Sequence, residues 1–566
     1  MNIGPEATVD YQSLVLNYAR SADQDAAAPA HHPVVVVGAG PVGLTAAVDL
    51  AQQGVPVLLL DDDDRLSTGS RAICFAKRTL EIWDRLGCGQ RMVDKGVTWN
   101  QGKVIFREDP VYSFNLLPEA GHHRPAFINL QQYYVEGFLL EHALTLPNLE
   151  IRWKNRVEAL EAEADGVTLH IATPEGSYDL RCDWLVAADG SRSPIRKAMG
   201  LESKGQTFRD RFLIADVRME ADFPSERWFW FDPPFHPNQS VLLHRQPDGV
   251  WRIDFQLGWD ADPVAERQPE RVIPRVQALL GKDTRFELEW VSVYSFSCLR
   301  MERFRHGRVL FAGDSAHGVS PFGARGANGG VQDAENLAWK LRLVVEGRAP
   351  ESLLDSYDIE RAFAADENIR HSTRSTDFIT PKNEASRAFR DATLELARDC
   401  GFARRLVNSG RLSVPSIYRD SALNTPDGGN DSFAGALVPG APAADAPVRD
   451  GDGEGWFLSK LGTGQFIGLY FSDGSEMNPV RLETLRGLTA GSLPVRLVLV
   501  EPQGLRPGRT DGLPVLEDAE GLLAQRYDAR PGTFYLLRPD HHVCARWRHF
   551  DQDQLRQALA RATGHA

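Results

Sequence analysis

Glycines and carboxylates recur in this chain where apolar runs end, and that pattern carries its chemistry. Val34-Val35-Val36-Val37 stops at Gly38-Ala39-Gly40-Pro41-Val42-Gly43, and Leu44 to Gln53 then reads as a helix. In that setting Gly38 permits a tight turn, Gly40 lets a diphosphate approach the backbone, and Gly43 lets helix and strand pack closely. Pro41 suits a first helical turn, whose free N–H groups and positive dipole end attract phosphate. A second apolar run, Val57 to Leu60, ends at Asp61, near the ~20-residue separation at which an acid meets a ribose. Asp62, Asp63 and Asp64 read as solvated loop charges. Trp184 to Ala188 ends at Asp189-Gly190, and Val309 to Ala312 ends at Gly313-Asp314. Alone, either Asp would be a turn or capping residue. Together with the glycine fingerprint they describe strand ends facing one dinucleotide.

These residues need a parallel sheet behind them, and the β-branched run at Val34 fits a strand buried on both faces. After Asp314 comes Pro321-Phe322-Gly323-Ala324-Arg325-Gly326-Ala327-Asn328-Gly329-Gly330, opening a helix with Val331, Ala334, Ala338, Leu341 and Val345 on one stripe. Such a loop offers N–H donors to an anionic group, against the plainer reading of a flexible loop capped by Asn328. From Gln206 to Cys298 the pattern changes to short strands: Phe212–Val217, Trp228–Phe231, Ser240–His244 and Trp251–Leu257. Trp228, Trp230, Phe235 and Trp251 are core residues before they are pocket lining. His244, Arg245 and Arg252 are candidates for holding a phenolate or carboxylate, with a solvated face as the equal alternative.

The stretches VVVVGAGPVGL, CDWLVAADGSRSPIR and RVLFAGDSAHGVSPFGARGANGGVQDAENLAWKL resemble the single-component FAD-dependent aromatic hydroxylases, the group of phenol hydroxylase, 3-(3-hydroxyphenyl)propionate hydroxylase and para-hydroxybenzoate hydroxylase. The resemblance implies FAD held by Gly38, Gly40, Gly43, Asp61, Arg71, Gln132 (with Gln131 a rival by register), Asp189, Asp314 and Gly326, Ala327 and Asn328. It implies Pro321 beside the reacting substrate; Tyr294 and His244 are separate candidates for the base that deprotonates the phenol, and His317 reads as structural. It also implies NADH or NADPH as co-substrate, bound transiently over the flavin, because no second glycine fingerprint follows a strand. Dioxygen and a small phenolic substrate complete the expected reaction, through a flavin hydroperoxide. A non-aromatic or polyketide substrate, or a non-catalytic flavoprotein, are the alternatives.

The implied fold is an α/β FAD-binding Rossmann-like domain with a β-sheet substrate domain and a C-terminal thioredoxin-like α/β domain. The divisions are 1–32, an extension read as poorly ordered, with one short amphipathic helix in YQSLVLNYA as the alternative; 33–205 with 300–375 for FAD; 206–299 for substrate; 376–442, helical and then a linker; and 443–566, thioredoxin-like. That last part holds only Cys544, so it is expected to be redox-inactive, with a packing or homodimer-contact role. The 63 basic and 77 acidic residues give a net charge of −14, against nucleic acid or a polybasic membrane contact. No apolar run approaches the ~20 residues of a membrane span. Six scattered cysteines without metal-ligand spacing suit a reduced cytoplasmic protein and no metal site.

Overall fold

The computed structural model describes residues 10–67, 71–221, 223–281, 283–407, 412–429, 431–473, 483, 487, 493, 495–504 and 512–565. Its first sheet is built around Ala30–Val37, flanked in parallel by Val57–Leu60 and Gly176–Ala187. Leu149–Arg152 and Val309–Phe311 extend it on either side, also in parallel. Val34, Val35 and Val36 are fully buried, which is why a continuous β-branched run suits this strand. Val37 lies opposite both Leu60 and Ala187, and Ala187 opposite Phe311, so four carboxyl ends finish level. Helices Pro41–Gln52 and Gly326–Val345 start at that edge.

The second sheet has eight strands, ordered His317–Gly318, Phe286–Met301, Ser203–Met219, Val250–Leu257, Ser240–Arg245, Arg227–Phe231, Gln101–Phe106 and Asp109–Asn115. It therefore reaches beyond 206–299: a hairpin from the first third of the chain joins its edge, parallel to Arg227–Phe231. Sequence reasoning missed this hairpin because its turn holds Arg107 at φ 58°, where Asn or Gly would have signalled a tight turn. One face of the sheet carries Trp230, Leu243, Trp251, Ile253 and Phe255, packed with Val272 and Val276 of helix Pro269–Leu280. Trp228 and Phe235 join that cluster. All four aromatics considered above thus belong to the outer core. The opposite face presents Phe229, Phe231, Arg227, His244 and Asp254, with Arg227 and His244 against Cys74 and the phenylalanines near Phe322.

Two expectations about irregular segments are corrected. Residues 10–32 are packed rather than loose, and YQSLVLNYA forms no helix; a 3₁₀ turn at Ala22–Asp25 is the helical piece there. Tyr11 sits against Gly137, where an added Cβ would lie 2.5 Å from its ring, and its hydroxyl donates to Glu141. Leu16 N–H donates to Asp64 O at 2.7 Å, pinning the loop after Asp61. The hole that accepts Tyr11 exists only once the Gly137 helix has folded, so local pattern could not show it. The second correction concerns the linker before 443. It is a strap whose Tyr418 is 4% exposed, with Thr425 N–H donating to Cys544 O and Gly440 N–H to Val543 O.

The chain ends in a seven-stranded mixed sheet in which Phe466–Phe471 is an interior strand, parallel to Val495–Glu501 and antiparallel to Phe534–Leu537. Trp339 and Leu343 of helix Gly326–Val345 pack into the core beneath it. Polar contacts seal the same junction. Arg538 pairs with Glu360 at 2.6 Å and Asp540 at 2.5 Å, Lys340 with Glu360 at 2.8 Å, and Trp339 Nε1 donates to Asp540 at 3.1 Å. Among the described residues no helix is long and apolar enough to cross a membrane.

Candidate active site

At the level strand ends the glycines divide by the space around them. A Cβ on Gly43 would lie 1.8 Å from Gly38 O, and one on Gly38 2.4 Å from Ala188 O. Gly38 also holds φ at 105°. These two make the turn and the packing. Gly40 has nothing within 4 Å of its missing Cβ, and it caps helix Pro41–Gln52, so it opens a cradle for an anion at a helix N-terminus. Gly330 in turn would strike Val42 Cγ2 at 2.5 Å, which brings the first turns of both helices together.

Three carboxylates stand along this edge. Asp61 Oδ2 accepts the Ala39 N–H at 2.5 Å and Oδ1 the Asp63 N–H at 2.9 Å, leaving lone pairs for hydroxyl donors. Burial pushes its carboxyl up to about 6 despite those bonds. Asp189 Oδ2 accepts from Ser193 Oγ at 2.8 Å and Ile195 N–H at 3.1 Å, while its buried Oδ1 has no partner. Asp314 opens on the groove but is recessed among protein atoms: burial raises its carboxyl, opposed by the charges of His317 and Arg71. Asp61 and Asp314 end strands separated by two others, a row of roughly 14 Å at ordinary strand spacing. An open cradle, an orphaned buried acceptor and two recessed carboxylates in one row fit an extended dinucleotide with ribose and ribityl hydroxyls.

Arg71 is exposed at the groove near Asp314. Gln132 adjoins it: its Oε1 accepts the Ala72 N–H at 3.0 Å and its Nε2 donates to Ser67 Oγ and Glu136 at 2.8 Å. Gln131 turns away toward Pro247 O at 3.4 Å. Gly326, Ala327 and Asn328 form the first turn of a helix rather than a loop. The Asn328 amide is consumed structurally, accepting from Ala76 N–H at 2.8 Å and donating to Cys74 O at 2.9 Å, so what this turn offers a ligand is backbone N–H. His317 is buried against Asp333 at 2.6 Å.

Beside this turn lies a pocket lined by Val104, Phe114, Phe229, Phe231, Phe322 and Arg227. Phe322 is fixed by edge contacts to Phe212 at 4.8 Å and Phe296 at 5.5 Å. Pro321, exposed, precedes it in the chain, and Tyr294 packs against the same aromatic cluster. Arg227 is 4% exposed; its Nη1 donates to Cys74 Sγ at 3.6 Å, its Nε has no partner, and among the described residues no carboxylate is within ion-pairing distance. Its guanidinium lies 5.4 Å from the Phe229 ring. Sequence reasoning missed Arg227, though it shares the alternation parity of Phe229 and Phe231. The arginines it weighed are engaged elsewhere: Arg252 forms a two-point pair with Asp216 at 2.7 and 2.8 Å, and Arg245 is exposed over Trp251. His244 is buried, 3.8 Å from Cys74 Sγ and from Asp254 Oδ2, with Nε2 unpartnered. Burial, then the charges of Arg227 and Arg252, hold it neutral.

Residues 31–372 match the FAD binding domain family. The chain is 31% identical over 409 residues to a 3-(3-hydroxy-phenyl)propionate/3-hydroxycinnamic acid hydroxylase of Klebsiella pneumoniae (strain 342), covering 71% of this chain and 72% of that one. It is 30% identical over 530 residues to a 6-methylpretetramide 4-monooxygenase of Streptomyces rimosus, covering 91% and 90%. A crystal structure of the flavin-dependent monooxygenase PieE with FAD and substrate shares the fold with a TM-score of 0.78, over 95% of this chain and 100% of that one, at 24% identity. A groove shaped for a dinucleotide, an aromatic pocket beside it and these relatives agree: the chain belongs to the FAD binding domain family and is an FAD-dependent aromatic monooxygenase.

Proposed function

We propose that the protein hydroxylates a small phenolic compound that carries a negative charge, with NADH or NADPH as reductant and dioxygen as oxygen source. The observation that carries this is Arg227, a buried guanidinium without a carboxylate partner in a phenylalanine-lined pocket. Leaving such a charge unpaired is costly, and an aromatic anion would complete it. When bound, FAD supplies the electron transfer and the oxygen activation.

The chain's own residues do the rest. Gly38, Gly40 and Gly43 seat the diphosphate, Asp61 the adenosine ribose, and Asp189 Oδ1 and Asp314 the remaining hydroxyls. Arg71, Gln132 and the backbone of Gly326, Ala327 and Asn328 surround the ring. Arg227 orients the substrate anion and stabilises a phenolate, while Phe229, Phe231 and Phe322 exclude water. His244 Nε2, neutral and unpartnered, is a hydrogen-bond acceptor on this face. Tyr294 and Pro321 shape the pocket. Residues 33–205 with 300–375 form the cofactor unit, 206–299 with the 101–115 hairpin the substrate unit, and 443–566 a thioredoxin-like unit. That unit is without redox activity, since burial pushes its Cys544 thiol up to about 12. We place the protein in the cytoplasm, with the C-terminal unit available as a homodimer contact.

The test is nicotinamide oxidation stimulated by phenols, hydroxybenzoates and their uncharged esters, with labelled dioxygen traced into the product. Anionic substrates should be preferred; stimulation by uncharged rings alone would overturn the substrate class. Asp314→Ala should weaken FAD binding far more than Asp62→Ala, and equal effects would undo the cofactor assignment. A polyketide ring is the second reading, favoured by the Streptomyces rimosus relative that matches over nearly the whole chain, and the same product assay separates it.

A further inference from the structure

We propose that Tyr418, on the strap before the C-terminal sheet, is a positioning residue for the cofactor groove, acting through Arg361 and Asp333 on the turn that presents Asp314. This rests on the FAD reading above. Tyr418 accepts from Arg361 Nη1 at 2.5 Å. The same guanidinium donates through Nε to Asp333 Oδ1 at 2.5 Å and through Nη2 to Gly329 O at 3.0 Å. Asp333 Oδ2 accepts the Gly313 N–H at 2.9 Å and bonds His317 Nε2 at 2.6 Å. One carboxylate thus grips both ends of the Gly313–His317 turn, and one guanidinium grips the first turn of helix Gly326–Val345 as well.

Every member of the chain is buried: Arg361 and Asp333 are 1% and 0% exposed. Burial raises the Tyr418 hydroxyl to about 12, so it stays protonated and neutral at all working pH. Its ring packs, tilted by 32° with centroids 5.0 Å apart, against His542 of the C-terminal unit, which fixes where the hydroxyl meets Arg361. An arginine fork needs all its acceptors in one plane to hold one orientation. Without the hydroxyl, Arg361 loses an acceptor, and Asp333 loses the fixed partner that sets its plane. The consequence falls on Gly313, which at φ 65° can relax where another residue could not. In this way a unit that touches no reacting atom contributes to flavin affinity.

The experiment strips the full chain of flavin and retitrates it with FAD by fluorescence quenching, then records the visible circular dichroism of the bound flavin. Tyr418→Phe keeps the ring contact and removes the hydroxyl. We expect the Kd for FAD to rise on the order of tenfold, with an altered visible spectrum. The control is Asp427→Asn, which breaks the pair that ties the strap to Arg546 at 2.7 and 2.8 Å but leaves Arg361 untouched. Its Kd should stay within about twofold of the parent. A Tyr418→Phe Kd within that range, or equal losses in both variants, overturns the positioning role and leaves only general support by the strap. Should Tyr418→Phe not fold, Arg361→Lys makes the same test, since lysine keeps the charge but not the fork. A parent chain that binds no FAD would instead defeat the cofactor reading.

Discussion

Two of the buried charged clusters among the described residues are finished to different degrees. At the junction with the C-terminal sheet, Glu360 meets Arg538 and Lys340, Asp540 meets Arg538, and Glu335 meets Arg78 at 2.9 Å and Arg85 at 3.0 Å. On the inner face of the eight-stranded sheet, Arg227 Nε, His244 Nε2 and Asp254 Oδ1 are all buried without a hydrogen-bond partner. Both sets were drawn out of water at a cost. In the first every guanidinium and carboxylate named has an ion-pair partner, although Arg78 Nε and Arg85 Nε donate no hydrogen bond of their own; in the second Arg227 has no such pair among the described residues and is left for a ligand to complete. A closed cluster marks assembly, and an open one marks a site.

The largest consequence belongs to the closed cluster. Glu360→Gln leaves Lys340 without its carboxylate and Arg538 with one fewer, so unfolding free energy should fall by about 3 kcal/mol. Urea denaturation measures this, and a loss below about 0.5 kcal/mol would erase the contrast. Arg227→Met should behave oppositely. Stability of the ligand-free protein should stay within about 1 kcal/mol or improve, because an apolar chain replaces an unpaired cation. At the same time kcat/KM for anionic aromatics should drop about 10- to 100-fold. If that variant unfolds readily and keeps its specificity, Arg227 is structural and the open cluster is no site.

A smaller effect comes from pH. Burial raises the Asp254 carboxyl to about 6, opposed chiefly by Arg252 and then Arg227. It is neutral below that pH and ionised above it. Above that pH the Asp254 charge acts on Arg227 over distance, without an ion pair, and partly offsets the guanidinium. Affinity for an anionic aromatic should fall about three- to tenfold between about pH 5 and about pH 7.5, and Asp254→Asn should flatten the profile. A flat profile in the parent would remove Asp254 from the site. The smallest effect concerns Cys544. Buried and un-ionised, it should be replaceable by alanine with nicotinamide oxidation within about twofold of the parent. A larger loss would make the C-terminal unit a redox partner rather than a support.

The cofactor edge was legible because its signals are local. A strand, a tight turn and a helix N-terminus each follow from a few adjacent residues, and Gly38, Gly43, Asp61, Asp189 and Asp314 fell at the strand ends where the motifs put them. The pocket was not. Alternation along Arg227–Phe231 separates two faces, yet it does not say which face meets the flavin domain. Trp228 and Trp230 were the larger aromatics and drew attention to the outer core. The 101–115 hairpin escaped because its turn residues lack a turn signature, and the strap because its glycines and prolines resemble those of a free linker.

By itself, the order of residues pointed to a dinucleotide along one sheet edge, since phosphate recognition by a glycine turn is settled within some thirty residues of chain. Which arginine is left unpaired, which asparagine is spent on the backbone, and that Tyr418 bonds Arg361 were decided only in the folded protein. Hydrogen-bond completion is a property of neighbours in space, and those neighbours come from segments 57 to 254 residues apart.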